Sequence, residues 1–115
     1  MKHNSVPPER RRCDGIQFRS LAEMDHYGKL KALQRQGVIS GLQYEPKFTF
    51  IVNGYLVGTY KPDFGFIENG QPKIHDVKGF RKSKRTGRLL PRVDRGFRRT
   101  CKLMWACFGL EVEIV

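Results

Sequence analysis

Two aspartates and a lysine near the middle of the chain have the types and spacing of a metal-dependent hydrolytic site. Asp63 and Asp76 flank the turn signal Asn69-Gly70, and a two-residue turn there would place the aspartates opposite each other on paired strands. Opposed residues have Cβ atoms roughly 4.5 to 5.5 Å apart, where two like charges are destabilising unless a cation lies between them. Lys78 lies on the same strand face as Asp76, because side chains alternate along a strand. The pattern therefore predicts two carboxylates and an amine in one small volume.

These groups suit the hydrolysis of a phosphodiester bond. Mg²⁺ prefers oxygen ligands, and one or two carboxylates hold it when a substrate phosphate supplies further oxygens. The metal would activate a water and neutralise charge on the phosphate, and Lys78 would orient or deprotonate that water. Glu23, a carboxylate on an otherwise apolar helix face, could complete the coordination or hold a metal-bound water.

A helix is predicted to carry Glu23. Ser20 to Glu23 has the form of a capping box, and Gly37 supplies a C-terminal stop. Glu23 therefore also has an ordinary structural interpretation as a capping residue. Asp63 and Asp76 have one too, since they could be surface residues beside a turn that form ion pairs with Lys61 and Lys78.

The elements after this helix can be read from turn signals and periodicity. Asn53-Gly54 and Asn69-Gly70 mark turns, and a returning strand over 55–67 is expected to bend at Gly58 or Gly65. A loop of mostly basic residues is expected over 79–92, and the chain is expected to connect α1 to the first strand through Gly41. The other predicted elements are strands at 47–52, 73–77 and 110–114 and a helix at 93–108. The predicted order is α-β-β-β-α-β.

Charge indicates a polyanionic partner. Lysine and arginine number 22 against 11 acids in 115 residues, a formal net charge of +11. Ten basic residues but only one acid, Asp94, lie between positions 81 and 102, and such a density favours contacts with phosphate. The residues predicted to bind nucleic acid are Arg81, Lys82, Lys84, Arg85, Arg88, Arg92, Arg95, Arg98 and Arg99.

Length and composition bound the remaining possibilities. Apolar residues make up 39% of the chain, enough for one folded domain, predicted over 15–115 after a flexible basic arm at 1–14. No apolar run reaches the length of a membrane span, and no signal peptide is recognised, so no membrane partner and a cytoplasmic location are expected. Three cysteines without zinc-like spacing are expected to be reduced thiols.

The motifs resemble the PD-(D/E)xK nuclease superfamily. The resemblance is carried by Tyr60-Lys61-Pro62-Asp63-Phe64 and Asp76-Val77-Lys78-Gly79, preceded by a helix that begins Phe18-Arg19-Ser20-Leu21-Ala22-Glu23. Roughly residues 13 to 112 are similar to small phage and prophage endonuclease-like proteins. The resemblance implies a restriction-endonuclease-like core, in which a mixed four-stranded sheet is flanked by helices. It also implies Mg²⁺ or Mn²⁺ as cofactor and DNA as substrate.

The same resemblance implies a role for each site residue. Asp63 and Asp76 become metal ligands, together with the Val77 carbonyl, and Lys78 becomes the catalytic lysine. Glu23 becomes the acid of the helix. This chain has Asp rather than the commoner Glu at position 76, which shortens the reach to the metal by one methylene.

The resulting hypothesis is a Mg²⁺-dependent DNA endonuclease of phage type that needs no small-molecule cofactor. If the protein is phage-encoded, it would act in the host cytoplasm. Selectivity for branched DNA, as in a junction resolvase, and a homodimer are attractive extensions, because so small a domain leaves little area for target recognition. Two alternatives stay open: a non-catalytic basic module that binds nucleic acid, and a transposon end-cleaving nuclease subunit.

Overall fold

The computed structural model describes residues 6–115 and has an α/β architecture. A four-stranded mixed sheet has the strand order β10-β7-β6-β3, with β10 parallel to β7 and the other neighbours antiparallel. Three two-stranded sheets, β1-β2, β4-β5 and β8-β9, accompany it within the described residues. The elements are a 3-10 turn (Pro8–Arg11), β1 (Arg12–Cys13), β2 (Ile16–Gln17), α1 (Leu21–Arg35), β3 (Ile39–Tyr44), β4 (Phe48–Val52), β5 (Tyr55–Tyr60), β6 (Phe64–Glu68), β7 (Gln71–Asp76), β8 (Phe80–Lys82), β9 (Leu89–Pro91), α2 (Arg95–Phe108) and β10 (Val112–Ile114).

Helix α1 begins and ends where the sequence predicts. The Ser20 hydroxyl accepts a hydrogen bond from the Glu23 backbone N–H at 3.1 Å, which satisfies one of the donors left open at a helix N-terminus. Gly37 follows the last turn with a φ of +79°, a conformation that glycine adopts without a steric penalty. The buried residues of α1 are Glu23, Tyr27 and Leu30, so Glu23 lies on the apolar face, as predicted.

The prediction of one returning strand over 55–67 is wrong. The chain forms two strands there, and β5 pairs with β4 while β6 joins the four-stranded sheet. They are separated by Lys61-Pro62-Asp63, where Pro62 has no N–H to donate to a strand ladder.

Strand β3 was predicted as part of a connection, and it forms an edge of the four-stranded sheet beside β6. Gly41 has a φ of +63°, and the pairing with β6 shifts register between Ser40 and Gln43. Such a bulge moves the later side chains to the other face of the strand, so the period-two pattern that announces a strand is lost.

The predicted register of the β6-β7 hairpin is confirmed. Phe64 lies opposite His75 and Glu68 opposite Gln71, around a turn in which Asn69 and Gly70 have φ values of +53° and +74°. This register places Asp63 and Asp76 at the same end of the hairpin, beside each other.

Apolar side chains pack in two clusters. The residues of the cluster that includes α1 are Phe18, Tyr27, Leu30, Ile39, Phe64 and Phe66. The second cluster includes α2 and the β4-β5 hairpin, and its residues are Phe50, Ile74 and Met104. Phe64 and Phe66 of β6 belong to the cluster of α1, whereas Ile74 of β7, which lies opposite Gly65, belongs to the cluster of α2. Because successive side chains point to opposite faces of a sheet, α1 and α2 cover opposite faces of these two strands.

Helix α2 confirms the predicted second helix with a later start. The Asp94 carboxylate caps it by accepting the Phe97 N–H at 2.7 Å, and Gly109, with a φ of +66°, ends it. The predicted last strand is confirmed as β10. In residues 6–115 neither helix is long and apolar enough to cross a membrane.

Two segments expected to be irregular contain regular structure. The predicted basic loop at 79–92 forms the antiparallel β8-β9 hairpin, in which Arg81 pairs with Leu90. Its strands are only three residues long and charge dominates its composition, so no alternation signals them. Of the predicted arm at 1–14, residues 1–5 lie outside the described residues. Residues 8–13 form the 3-10 turn and β1, and the Arg11 side chain donates to the Phe18 and Arg19 carbonyls at 2.9 and 2.6 Å.

Candidate active site

Three carboxylates are buried where β6, β7 and α1 meet. Asp63 directly precedes β6 and Asp76 is the last residue of β7, and they are 4% and 5% exposed. Glu23, in the first turn of α1, is 8% exposed. Ionised carboxylates are seldom buried without a partner, so the groups that contact them determine what this cluster can do.

The Asp63 carboxylate is held by both of its oxygens. Oδ2 accepts the Val77 backbone N–H at 2.7 Å, and Oδ1 accepts from the Arg19 guanidinium at 3.0 Å. Burial raises the pKa of Asp63 to about 7; the Val77 N–H opposes this shift, whereas the nearby charges of Asp76 and Glu23 reinforce it. The effect of burial therefore outweighs the Val77 N–H and the Arg19 charge, both of which favour the ionised form of Asp63.

The Asp76 carboxylate is also held on both sides. Its Oδ1 lies 3.1 Å from the Lys78 ammonium, and its Oδ2 accepts a hydrogen bond from the Tyr60 hydroxyl. Burial and this hydrogen bond to Asp76 raise the pKa of Tyr60, so its hydroxyl stays a donor at neutral pH. The Lys78 ammonium also lies 4.2 Å from the centre of the Phe97 ring on α2, which adds a cation–π contact.

Arg19 links Glu23 to Asp63. Its Nε lies 3.7 Å from Glu23 Oε2, and its Nη2 lies 2.8 Å from Glu45 Oε2 as well as close to Asp63. The Tyr44 hydroxyl donates to Glu23 Oε1 at 3.4 Å. Burial raises the pKa of Glu23 against the opposing effect of Arg19. The helix acid therefore belongs to the same network as the two aspartates.

Sequence reasoning missed four members of this network: Arg19, Tyr44, Glu45 and Tyr60. Arg19 precedes Glu23 by four residues, a spacing that could have suggested the contact. Tyr44 and Glu45 were missed together with β3, at whose end they lie. Tyr60 reaches Asp76 because the chain turns between β5 and β6. The prediction of one continuous strand over 55–67 did not include this turn.

The carboxylate oxygens of the cluster are suitable ligands for a hard divalent cation such as Mg²⁺. In this structure, however, they form ion pairs and hydrogen bonds with neighbouring side chains. Asp63, Asp76 and Glu23 offer the oxygens that Mg²⁺ prefers, and each carboxylate oxygen has a second lone pair beyond the hydrogen bond that it accepts here. However, no group of three or more His, Cys, Asp or Glu side chains within residues 6–115 is arranged to hold a metal ion. A cation would have to share these oxygens with Arg19 and Lys78. The metal-ligand role of the Val77 carbonyl stays a prediction.

The two described histidines pair on the other side of the β6-β7 hairpin. His26 Nε2 lies 2.9 Å from His75 Nδ1, and the rings pack against Phe64 and Phe66. Burial, followed by the nearby His75 and Lys29, lowers the pKa of His26 to about 4. His26 is therefore neutral at pH 7.

The predicted nucleic-acid-binding residues are all exposed. Five of them lie between positions 81 and 88 in the β8-β9 hairpin, and Arg95, Arg98 and Arg99 lie in the first half of α2. Because β8 begins two residues after Lys78, the hairpin starts next to the carboxylate cluster.

Comparison with known proteins identifies a family but no activity. Residues 8–111 match the family described as "Protein of unknown function (DUF1064)", and the chain belongs to this family. No curated protein and no solved structure matches the chain significantly.

Proposed function

We propose that this protein is a Mg²⁺- or Mn²⁺-dependent DNA endonuclease with a restriction-endonuclease-like core. The observation that carries the proposal is the pair of buried aspartates at adjacent strand ends, with the Lys78 ammonium 3.1 Å from one of them. Asp63 and Asp76 would bind the metal, and Glu23 would complete its coordination or hold a metal-bound water. Lys78 would orient or deprotonate the attacking water.

The bound metal would supply Lewis acidity and lower the pKa of a coordinated water. Lys78 is set beside Asp76 and held over Phe97, so its ammonium is oriented before substrate arrives. There it can donate a hydrogen bond to the incoming water or to a phosphate oxygen and offset the negative charge that builds up on the phosphate. The Tyr60 hydroxyl donates a hydrogen bond to Asp76 and the Val77 N–H donates one to Asp63, so each aspartate side chain is restrained.

DNA is the substrate that the surface favours. The exposed basic side chains of the β8-β9 hairpin and α2 follow the cluster directly in the chain, and phosphate contacts from such residues give affinity without reading sequence. Within this proposal the target is branched DNA, as for a junction-resolving nuclease acting as a homodimer.

The β4-β5 hairpin supports self-association. Residues 48–60 contain no charged side chain in a chain of net charge +11, and Ile51, Tyr55 and Leu56 are 58%, 74% and 60% exposed. Among the described residues each strand of this sheet pairs only with the other, so each leaves an open backbone edge. A second copy of the chain fits this surface, because two strongly cationic chains repel each other least where the contact is uncharged.

Sedimentation velocity tests the homodimer. The wild type should sediment as a dimer at micromolar concentration, and the double variant Ile51→Ser with Leu56→Ser should sediment as a monomer with an unchanged circular dichroism spectrum. A monomeric wild type, or a variant that stays dimeric, contradicts self-association through this hairpin.

A second candidate function is a non-catalytic module that binds nucleic acid. It is favoured by the pairing of Arg19 and Lys78 with the aspartates, which gives the carboxylates a structural role without any metal.

Cleavage assays separate the two functions. Supercoiled plasmid, single strands, linear ends and a four-way junction are incubated with Mg²⁺, Mn²⁺ or EDTA. Asp63→Asn and Lys78→Ala should each lower the cleavage rate by about 100-fold or more, the usual range for a lost catalytic group. Lys61→Ala is the matched control, because it removes an exposed lysine from the same part of the chain and should cleave normally. If wild-type protein binds these substrates and cleaves none with either metal, the nuclease proposal is wrong and the binding module remains.

A further inference from the structure

Hydrogen bonds from the backbone and from the Ser83 side chain close the turn at the tip of the β8-β9 hairpin. The Ser83 N–H donates to the Arg88 carbonyl and the Gly87 N–H to the Ser83 carbonyl, both at 2.8 Å. The Ser83 hydroxyl accepts from the backbone N–H groups of Arg85 and Thr86 at 3.2 and 3.3 Å. Gly87 has a φ of +72°, which closes the turn. The tip is therefore held in one shape before any ligand binds.

The surface of this hairpin is cationic, with two exposed large apolar side chains, Phe80 in β8 and Leu89 in β9. No Asp or Glu lies between Asp76 and Asp94, so no acid of the segment offsets its basic residues. The tip presents Lys84 and Arg85, both exposed, and Leu89 beside it is 70% exposed. A polyanion with apolar groups inside a groove matches such a surface better than a uniformly charged polymer does.

We infer that the β8-β9 hairpin enters the major groove of double-stranded DNA. The inference rests on the proposed function, which makes DNA the substrate. The major groove of B-DNA is about 12 Å wide and about 8.5 Å deep and admits a two-stranded β-ribbon. Lys84 and Arg85 contact phosphates along the groove, and Leu89 makes apolar contact with base-pair edges such as the methyl group of thymine.

The position of the hairpin limits where on the DNA it binds. Arg85 follows Lys78 by seven residues, and an extended chain rises about 3.3 Å per residue, so the tip lies within about 23 Å of Lys78. At 3.4 Å per base pair this distance corresponds to about seven base pairs. Groove contacts therefore fall within less than one helical turn of the phosphate at the cluster.

Binding measured by fluorescence anisotropy in EDTA tests the inference without any cleavage. The tip variant combines Lys84→Ala with Arg85→Ala. Its matched control combines Arg35→Ala with Lys47→Ala, which removes the same charge from exposed positions outside the hairpin. Each protein is titrated with a DNA duplex, its single strand and an RNA duplex of the same sequence at several salt concentrations.

The tip variant should lower the dependence of log K on log salt for the DNA duplex by about 2, close to 1 for each lost phosphate contact. The control should leave this slope within about 0.5 of the wild-type value. The RNA duplex should show a smaller change with the tip variant, because the major groove of A-form RNA is deep and narrow. Leu89→Ser, which keeps the charge, should weaken duplex DNA binding and leave the salt slope unchanged.

The inference is wrong if the tip variant loses as much affinity for the single strand as for the DNA duplex, or if the control loses as much duplex affinity as the tip variant. Only general electrostatic attraction then remains. If the tip variant loses as much affinity for the RNA duplex as for the DNA duplex, the hairpin does not enter the major groove. These outcomes are independent of the nuclease proposal, which fails only if metal-supplied wild type does not cleave. A protein that cleaves while its tip variant binds duplex DNA normally contradicts the hairpin inference alone.

Discussion

Removing one hydroxyl should reveal how firmly the site holds Asp76. Tyr60→Phe deletes the donor to Asp76 Oδ2 and retains the aromatic ring, whose centre lies 6.5 Å from that of Phe97. Asp76 is only 5% exposed, so little water can replace the lost donor. The substitution therefore leaves a carboxylate oxygen without its partner in a nearly dry environment.

The size of the effect follows from the remaining contacts. A hydrogen bond to a charged group contributes about 1.5 to 3 kcal/mol. Asp76 keeps its ion pair with Lys78, so the lower part of this range, about 1.5 to 2 kcal/mol, is expected. Urea m-values of small proteins are about 1 to 3 kcal/mol per molar, so the midpoint of unfolding should fall by about 1 M.

Tyr55→Phe is the matched control. It makes the same chemical change at a side chain that is 74% exposed, where removal of the hydroxyl leaves no buried group without a partner. Its unfolding free energy should stay within about 0.5 kcal/mol of wild type. If the two variants lose the same stability, the Tyr60 hydroxyl does not stabilise the buried Asp76 carboxylate.

Three further predictions concern the elements that position the site. Ser20→Ala removes the N-cap of α1 and should cost about 0.5 to 2 kcal/mol by urea unfolding; an unchanged midpoint would show that the cap is dispensable. Phe64→Ala truncates a fully buried ring beside Asp63 and should cost about 3 to 5 kcal/mol, so a loss under 1 kcal/mol contradicts the assigned core. His26 has a folded-state pKa of about 4, below the unfolded value of 6.5, so the unfolded state binds its proton more readily. Its contribution to stability should be complete above pH 6.5 and lost as pH falls toward 4, and unfolding curves of His26→Gln should lack this component of the pH dependence.

Local signals in the sequence were sufficient for several elements. Ser20 with Gly37 delimited α1, and Asn69-Gly70 set the register that brings Asp63 beside Asp76. These features depend on neighbouring residues, on turn chemistry and on hydrogen bonds to a cap, so they can be read without the rest of the fold.

Other features were hidden because they depend on the backbone or on distant segments. The bulge at Gly41 shifts β3 so that alternation does not announce it, and β3 brings Tyr44 and Glu45 to the site. The break at Pro62 divides the predicted strand into parts of two sheets. Whether a proline bends a strand or ends it depends on the neighbours available to each half, which lie far away in the chain.

Local sequence was enough to specify the charge of the protein, the limits of α1 and the facing pair of aspartates. That Arg19 and Tyr60 also hold those aspartates depends on tertiary packing, because these two residues come from separate elements and converge when the sheet and α1 pack together. The tertiary structure also decided that the basic segment is a folded hairpin. Turn and cap preferences act over a few residues, whereas burial of a charge is settled by every segment that surrounds it.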